Sequence, residues 1–292
     1  MNEQAITFEN RGEIISGVLH IPDTAQDLSS SMVVFLHGFA GYRIGPHQLF
    51  VKLARKLAHE GHTCIRFDFR GRGYSQSKKE ATSYKTMVSD LDAVLKDIHR
   101  QFSPTRLILL GICSGTRTAL YYIKNKECRV DGLIGLSSPP LTNTSDISAT
   151  TKRTKSVFED YLQKARVAEN WRRLLKGETN TPMISKIVRG NLKNIWCAFC
   201  SKLLRQPFKA KIKGNSNKNA PFSNFTGGVL LIHGEKDPDT LIALNQISKM
   251  LLTHNITYQE RIIKGANHSF YSIKWENEIV ELVKNWLATE LN

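Results

Sequence analysis

The stretch Leu107-Ile108-Leu109-Leu110-Gly111-Ile112-Cys113-Ser114-Gly115 decides how this chain is read. A short run of aliphatic residues closed by glycine reads as a strand buried on both faces of a sheet. Beyond Gly115, a helix candidate runs through Ala119, Leu120 and Tyr121. G-x-C-x-G at a strand-to-helix turn is the nucleophile-elbow pattern with sulfur in place of oxygen. The two glycines have a physical reason there, because bulky neighbours at positions ±2 would clash in so tight a turn. A buried packing cysteine ahead of a helix fits the same five residues, so the surroundings must separate the two readings.

Working outward, further apolar runs read as strands: Ile14–Ile21, Met32–Leu36, Thr63–Phe67, Leu107–Ile112, Gly132–Leu136, Val229–Ile232 and Thr257–Ile263. Between them lie helical patterns, Leu49, Leu53 and Leu57, then Met87, Leu91, Val94, Leu95 and Ile98, and near the C-terminus Ile279, Leu282, Val283 and Trp286. Strands alternating with helices predict an α/β fold with a mostly parallel central sheet flanked by helices. One segment interrupts the alternation. Residues 142–225 read as helical, with Ile184, Ile187, Val188, Leu192, Ile195, Trp196, Phe199 and Leu203 on one face, and they end in the loop-like 213–221. The expected organisation is therefore a core of residues 1–141 and 226–292 with an inserted basic helical cap, 142–225.

The same segment carries the charge. The chain has 292 residues, 41 Lys and Arg against 26 Asp and Glu, and a formal +15. Within 142–225 there are 17 basic residues and 5 acidic ones, a net +12, which leaves only +3 on the other 208 residues. A charge of this size implies acidic partners and says nothing about fold. Nucleic acid is not the expected one, because Trp171, Trp196, Phe199 and Phe208 fall at helical spacing, as the core of a lid would place them. The chain lacks a long uninterrupted apolar run and a basic leader followed by an apolar stretch, so neither a membrane span nor secretion is expected. Five irregularly spaced cysteines suit reduced thiols in a cytoplasmic protein. Cys197 and Cys200 have C-x-x-C spacing but no second pair and no histidine nearby, and no phosphate cradle is present, so neither metal nor cofactor is expected.

Three further motifs give the cysteine its context. His37-Gly38-Phe39-Ala40-Gly41 follows the strand Met32–Leu36, and Asp68-Phe69-Arg70-Gly71-Arg72-Gly73-Tyr74-Ser75 follows Thr63–Phe67. Downstream, His233-Gly234-Glu235-Lys236-Asp237 ends one strand with an acid, and Lys264-Gly265-Ala266-Asn267-His268 ends the next with a histidine. Nucleophile, acid and histidine follow one another in hydrolase order.

With these four motifs in order over nearly the whole chain, the sequence resembles the α/β-hydrolase superfamily, in particular the serine aminopeptidase or monoglyceride-lipase-like branch with a helical cap. It departs from most of that branch at Cys113. Cysteine in this box is similar to that of polyhydroxyalkanoate synthases, dienelactone hydrolases and the small hydrolases associated with exosortase loci, and Asn170-Trp171-Arg172-Arg173-Leu174-Leu175-Lys176-Gly177-Glu178 resembles the last group.

The resemblance implies roles. Cys113 would be the nucleophile, held toward thiolate by a helix N-terminus and an imidazolium. His268 would be general base and then general acid. Asp237 would orient the ring, with Asp239 as the alternative acid. The backbone N–H groups of Phe39 and Ser114 would form an oxyanion hole. His37 is expected to bond backbone, the Ser114 hydroxyl to be incidental, and Arg70 and Arg72 to stabilise a surface loop.

The expected activity is acyl transfer through an acyl-thioester on Cys113, as in a thioesterase or acyltransferase acting on carrier- or coenzyme-bound acyl groups. An acidic acyl carrier protein would dock on the basic cap, and contact with an anionic membrane surface is a further expectation. Carboxylic-ester hydrolysis with a cysteine nucleophile is an alternative, and a degenerate hydrolase acting as a binding module is another.

Overall fold

The computed structural model describes residues 1–23, 31–77, 82–125, 129–141, 222, 225 and 227–290. Nearly all of the expected cap, 142–225, lies outside them, as do Cys128, Cys197 and Cys200. Eight strands form one sheet: β1 (Asn2–Asn10), β2 (Glu13–Ile21), β3 (Ser31–Leu36), β4 (Thr63–Phe67), β5 (Arg106–Ile112), β6 (Gly132–Leu136), β7 (Gly228–Gly234) and β8 (Tyr258–Ile263). Their order is β1-β2-β4-β3-β5-β6-β7-β8. The six strands β3 to β8 run parallel, while β1 and β2 form an antiparallel hairpin whose second strand pairs antiparallel with β4.

Alternation along each central strand builds two cores. In β5, Leu107 and Leu109 enter one apolar cluster while Ile108, Leu110 and Ile112 enter the other. In β3, Met32, Val34 and Leu36 divide from Val33 and Phe35 in the same way. A strand buried on both sides must be apolar at every position, which is why these runs are continuous.

Helices cover both faces. α1 (Leu49–His59) and α5 (Ile273–Glu290) lie on one, with Leu49, Leu53, Leu57, Ile279, Val283 and Trp286 buried. α2 (Tyr84–Phe102), α3 (Ser114–Asn125) and α4 (Thr240–Thr253) lie on the other, where Met87, Leu91, Val94, Leu95 and Ile98 are all buried. α2 begins with a capping box, in which Ser83 Oγ accepts from the Thr86 N–H and Thr86 Oγ1 from the Ser83 N–H. Phe222 and Phe225, at the end of the segment assigned to the cap, are 6% and 7% exposed and belong to the sheet's own apolar cluster, with the Phe222 N–H donating to the Lys124 carbonyl.

Arg70 does hold the loop after β4, as expected, but the side chain that does so is itself buried. It is 6% exposed, and its Nε lies 2.5 Å from Asp90 Oδ1 and its Nη1 2.7 Å from Glu13 Oε2. Asn10 Nδ2 donates to the same Asp90 oxygen at 2.7 Å. One guanidinium thus ties the loop after β4 to α2 and to the β1–β2 hairpin, and sequence reading missed it because the partners are 20 and 57 residues away. Arg70→Met should destabilise the protein by about 3–5 kcal/mol, since it strands buried carboxylates without their cation. Urea unfolding would show this as a lower midpoint with unchanged slope, and an unmoved midpoint would contradict it.

Candidate active site

In a sheet of this kind the loops at the carboxyl ends of the parallel strands share one edge, where ligands bind. The loops that follow β3, β5, β7 and β8 bring Phe39, Cys113, Asp237 and His268 to that edge.

Cys113 stands between β5 and α3 with φ at +56°, the left-handed region that a side chain occupies at a cost. Its N–H donates to the Leu136 carbonyl at 2.9 Å, and its own carbonyl accepts from the Arg117 N–H at 3.3 Å as the helix begins. The flanking glycines are required by neighbouring backbone. A Cβ at Gly111 would lie 2.4 Å from the Thr116 nitrogen, and one at Gly115 would lie 2.0 Å from the Leu36 carbonyl oxygen. The turn is therefore wedged between its own helix and the end of β3, which presents the thiol at a half-buried position.

Asp237 follows β7 in a turn whose own backbone closes it, the Asp237 N–H donating to the Gly234 carbonyl at 3.0 Å. The loop carrying the histidine lies against this turn, because Gly234 has no side chain to hold it off: a Cβ there would be 2.4 Å from the Ala266 oxygen. The Lys236 N–H bonds that same oxygen at 2.8 Å. The result is a 2.7 Å hydrogen bond from His268 Nδ1 to Asp237 Oδ2. Asp237 is 4% exposed, and its other oxygen accepts the Asp239 N–H at 3.2 Å. Of the two candidate acids, it is Asp237 that receives the ring.

The electrostatics follow from this arrangement. Burial opposes charge on His268, but hydrogen bonds to Asp237 and to the Cys113 side chain outweigh it and raise the ring to about 10. Burial likewise works to raise the Asp237 carboxyl, yet the bond to His268 wins and holds it below its usual range. At neutral pH the histidine is thus an imidazolium between a carboxylate and sulfur. Such a group can hold a thiol as thiolate, deliver a proton to a leaving group and later take one from water.

His37 does something else. It is 1% exposed, its Nδ1–H donates to the Gly38 carbonyl at 2.8 Å, and its Nε2 accepts the Phe69 N–H at 3.0 Å. Burial drives its pKa down to about 4, so the ring is neutral and serves as a strut between the loops after β3 and β4. That matches the expected backbone-bonding role.

The Ser114 hydroxyl is not incidental. The Phe39 N–H, expected to face an oxyanion, donates to Ser114 Oγ at 2.6 Å. Arg117, one helical turn beyond Cys113, also went unnoticed in the sequence. Its guanidinium bonds the Pro140 and Leu141 carbonyls at 3.4 and 3.2 Å and covers the Tyr84 ring, which makes a T-shaped contact with Phe39. The i, i+4 spacing from Cys113 was the available signal. Among the described residues no group of three or more His, Cys, Asp or Glu side chains could hold a metal ion.

A mostly parallel sheet with an elbow after β5, an acid after β7 and a histidine after β8, all at one edge, defines the class, the α/β-hydrolase fold. A family model for that fold matches residues 32–171. An esterase of Pyrococcus furiosus superposes with a TM-score of 0.62 at 17% identity, covering 100% of this chain and 91% of the other. Among curated proteins, the chain is 24% identical over 243 residues to Protein PHYLLO of Arabidopsis thaliana, covering 76% of this chain and 13% of that protein. It is 30% identical over 92 residues to a probable lysophospholipase L2 of Haemophilus influenzae, covering 30% of this chain and 29% of the other. The chain spans less than a third of either curated relative. The chain thus has the α/β-hydrolase fold, and over residues 32–171 it is similar to the family of that name.

Proposed function

We propose that the protein is an enzyme that cleaves or transfers acyl groups through a thioester on Cys113. The observation that carries this reading is the hydrogen-bonded run from Asp237 through His268 to Cys113, at a turn held at φ +56°. The thiolate attacks the substrate carbonyl, and the carbonyl π pair moves onto oxygen. The tetrahedral intermediate collapses by breaking the bond to the leaving group, which takes the proton from His268. Neutral His268 then removes a proton from water or another acceptor as it attacks the acyl-Cys113 carbonyl. Collapse this time expels the Cys113 thiolate, and the proton stays on His268.

Sulfur in this position favours acyl groups already held as thioesters, because exchange between thioesters is nearly balanced in free energy. The net +12 of residues 142–225 supports delivery by an acidic carrier. The lysophospholipase among the relatives favours instead a carboxylic ester as substrate.

The experiment is intact mass spectrometry after mixing with p-nitrophenyl acetate or an acetyl-pantetheine thioester. An added acetyl group that disappears in Cys113→Ala, together with loss of turnover by at least about a thousandfold, is expected. Full turnover in the Ala variant would refute the proposal. Faster acetylation by the thioester than by the ester would support the carrier reading, and the reverse would support the ester reading.

A further inference from the structure

Ser114 Oγ accepts the Phe39 N–H at 2.6 Å, a direct contact at the short end for an N–H···O hydrogen bond. The side chain is held closely there. Ser114 is 2% exposed, and its Oγ would lie 3.4 Å from a Cβ on Gly38, the residue that leads into Phe39. The same oxygen hangs on the residue whose own N–H is the second expected oxyanion donor. The hydroxyl oxygen on that residue therefore already takes one of the two N–H groups, that of Phe39, which a substrate carbonyl oxygen would need.

We propose that Ser114 is a positioning residue that closes the oxyanion hole in the resting protein, and that a substrate must turn its hydroxyl away to use the Phe39 N–H. This rests on the acyl-transfer reading above. Side chains of this kind move between staggered wells, so the hole has a closed state with the hydroxyl on Phe39 and an open state with it rotated off. Each productive encounter must break the Ser114–Phe39 bond before the carbonyl oxygen can replace it. The net worth of one neutral hydrogen bond corresponds to about a 2- to 10-fold change in rate. The closed state thus makes acylation selective for carbonyls that compete well for the Phe39 N–H. It does not touch the reactivity of the thiol itself.

That separation gives the test. Acylation of Cys113 by p-nitrophenyl acetate needs the hole, whereas alkylation by iodoacetamide needs only the thiolate. In Ser114→Ala, and independently in Ser114→Gly, the acylation burst should quicken about 2- to 10-fold while the alkylation rate stays within about twofold of the original. An unchanged or slower burst in the folded variants would overturn the gate, because the hydroxyl would then be inert or a contributor to catalysis. A parallel rise in alkylation would also overturn it, since the change would then lie in the sulfur. If the unaltered protein is alkylated at Cys113 but never acylated there, the acyl-transfer reading itself fails and takes the gate with it.

Discussion

Gly115→Ala should leave almost no folded protein. The added carbon would fall 2.0 Å from the Leu36 carbonyl oxygen, 2.7 Å from its carbon and 2.9 Å from the His37 oxygen. All three are backbone atoms. Leu36 pairs with Gly111 in the centre of the sheet, and His37 is locked by the Gly38 carbonyl and the Phe69 N–H, so neither can withdraw. Relief would have to come from separating α3 from β3, which would open the larger apolar cluster at Leu36, Ala119 and Leu120. The expected loss exceeds about 4 kcal/mol, the range reached by severe core disruption. Gly12→Ala is the comparison. Gly12, unlike Gly115, sits at positive φ, +73°, and a Cβ there meets nothing within 4 Å. That variant should lose only about 1–2 kcal/mol, the conformational cost alone. Urea or thermal unfolding of the two variants distinguishes the causes, and equal midpoints would show that the wedge at Leu36 is not what holds the elbow.

The contrast between these glycines also shows what the sequence could and could not reveal. Strand Gly132–Leu136 begins and ends where the apolar pattern does, because burial on both faces selects apolar residues and turns bound it; Thr63–Phe67 keeps its bounds too, although it buries Arg66, whose guanidinium bonds His20 and the Arg43 carbonyl. β1 escaped notice because only Phe8 of its nine residues is buried and most of the rest are polar, on an edge hairpin. α4 was missed as well: Leu241 and Ile242 are 78% and 50% exposed, which blurs the apolar stripe of Ala243, Leu244, Ile247 and Leu251. In the site, residues fixed by local motif were readable, as with Cys113 between two glycines. Long-range bonds were not. Phe39 and Ser114 are 75 residues apart, and no periodicity encodes that a hydroxyl should meet that N–H.

Asp237→Asn should reduce acyl turnover about a thousandfold to ten-thousandfold while leaving the fold intact, since the side chains have nearly the same shape and it is charge that changes. With an ionised Asp237 the ring of His268 titrates near 10 instead of 6.5. A neutral amide removes one of the hydrogen-bonded anions that overcome burial, so the histidine pKa must fall. The imidazolium beside Cys113 then gives way at lower pH, and the sulfur loses the cation that stabilises its thiolate. Alkylation by iodoacetamide at pH 7 should therefore slow, and the midpoint of its pH profile should move upward. Stability carries the same sign. A ring whose folded pKa is raised stabilises the native state fully below about 6.5 and loses that contribution as pH rises through about 10. Asp237→Asn should remove much of this contribution, so the two proteins should differ most in unfolding midpoint on the acidic side of that window, above the pH at which carboxylates titrate. Asp239→Asn is the control, because Asp239 meets the acid through its backbone N–H, which the substitution keeps. If Asp239→Asn lost activity and Asp237→Asn did not, the acid would have been assigned to the wrong side of Pro238. If neither substitution shifted the alkylation profile, the bond between His268 and Asp237 would not be setting the charge of the ring, and the reactivity of Cys113 would have to come from the N-terminus of α3 alone.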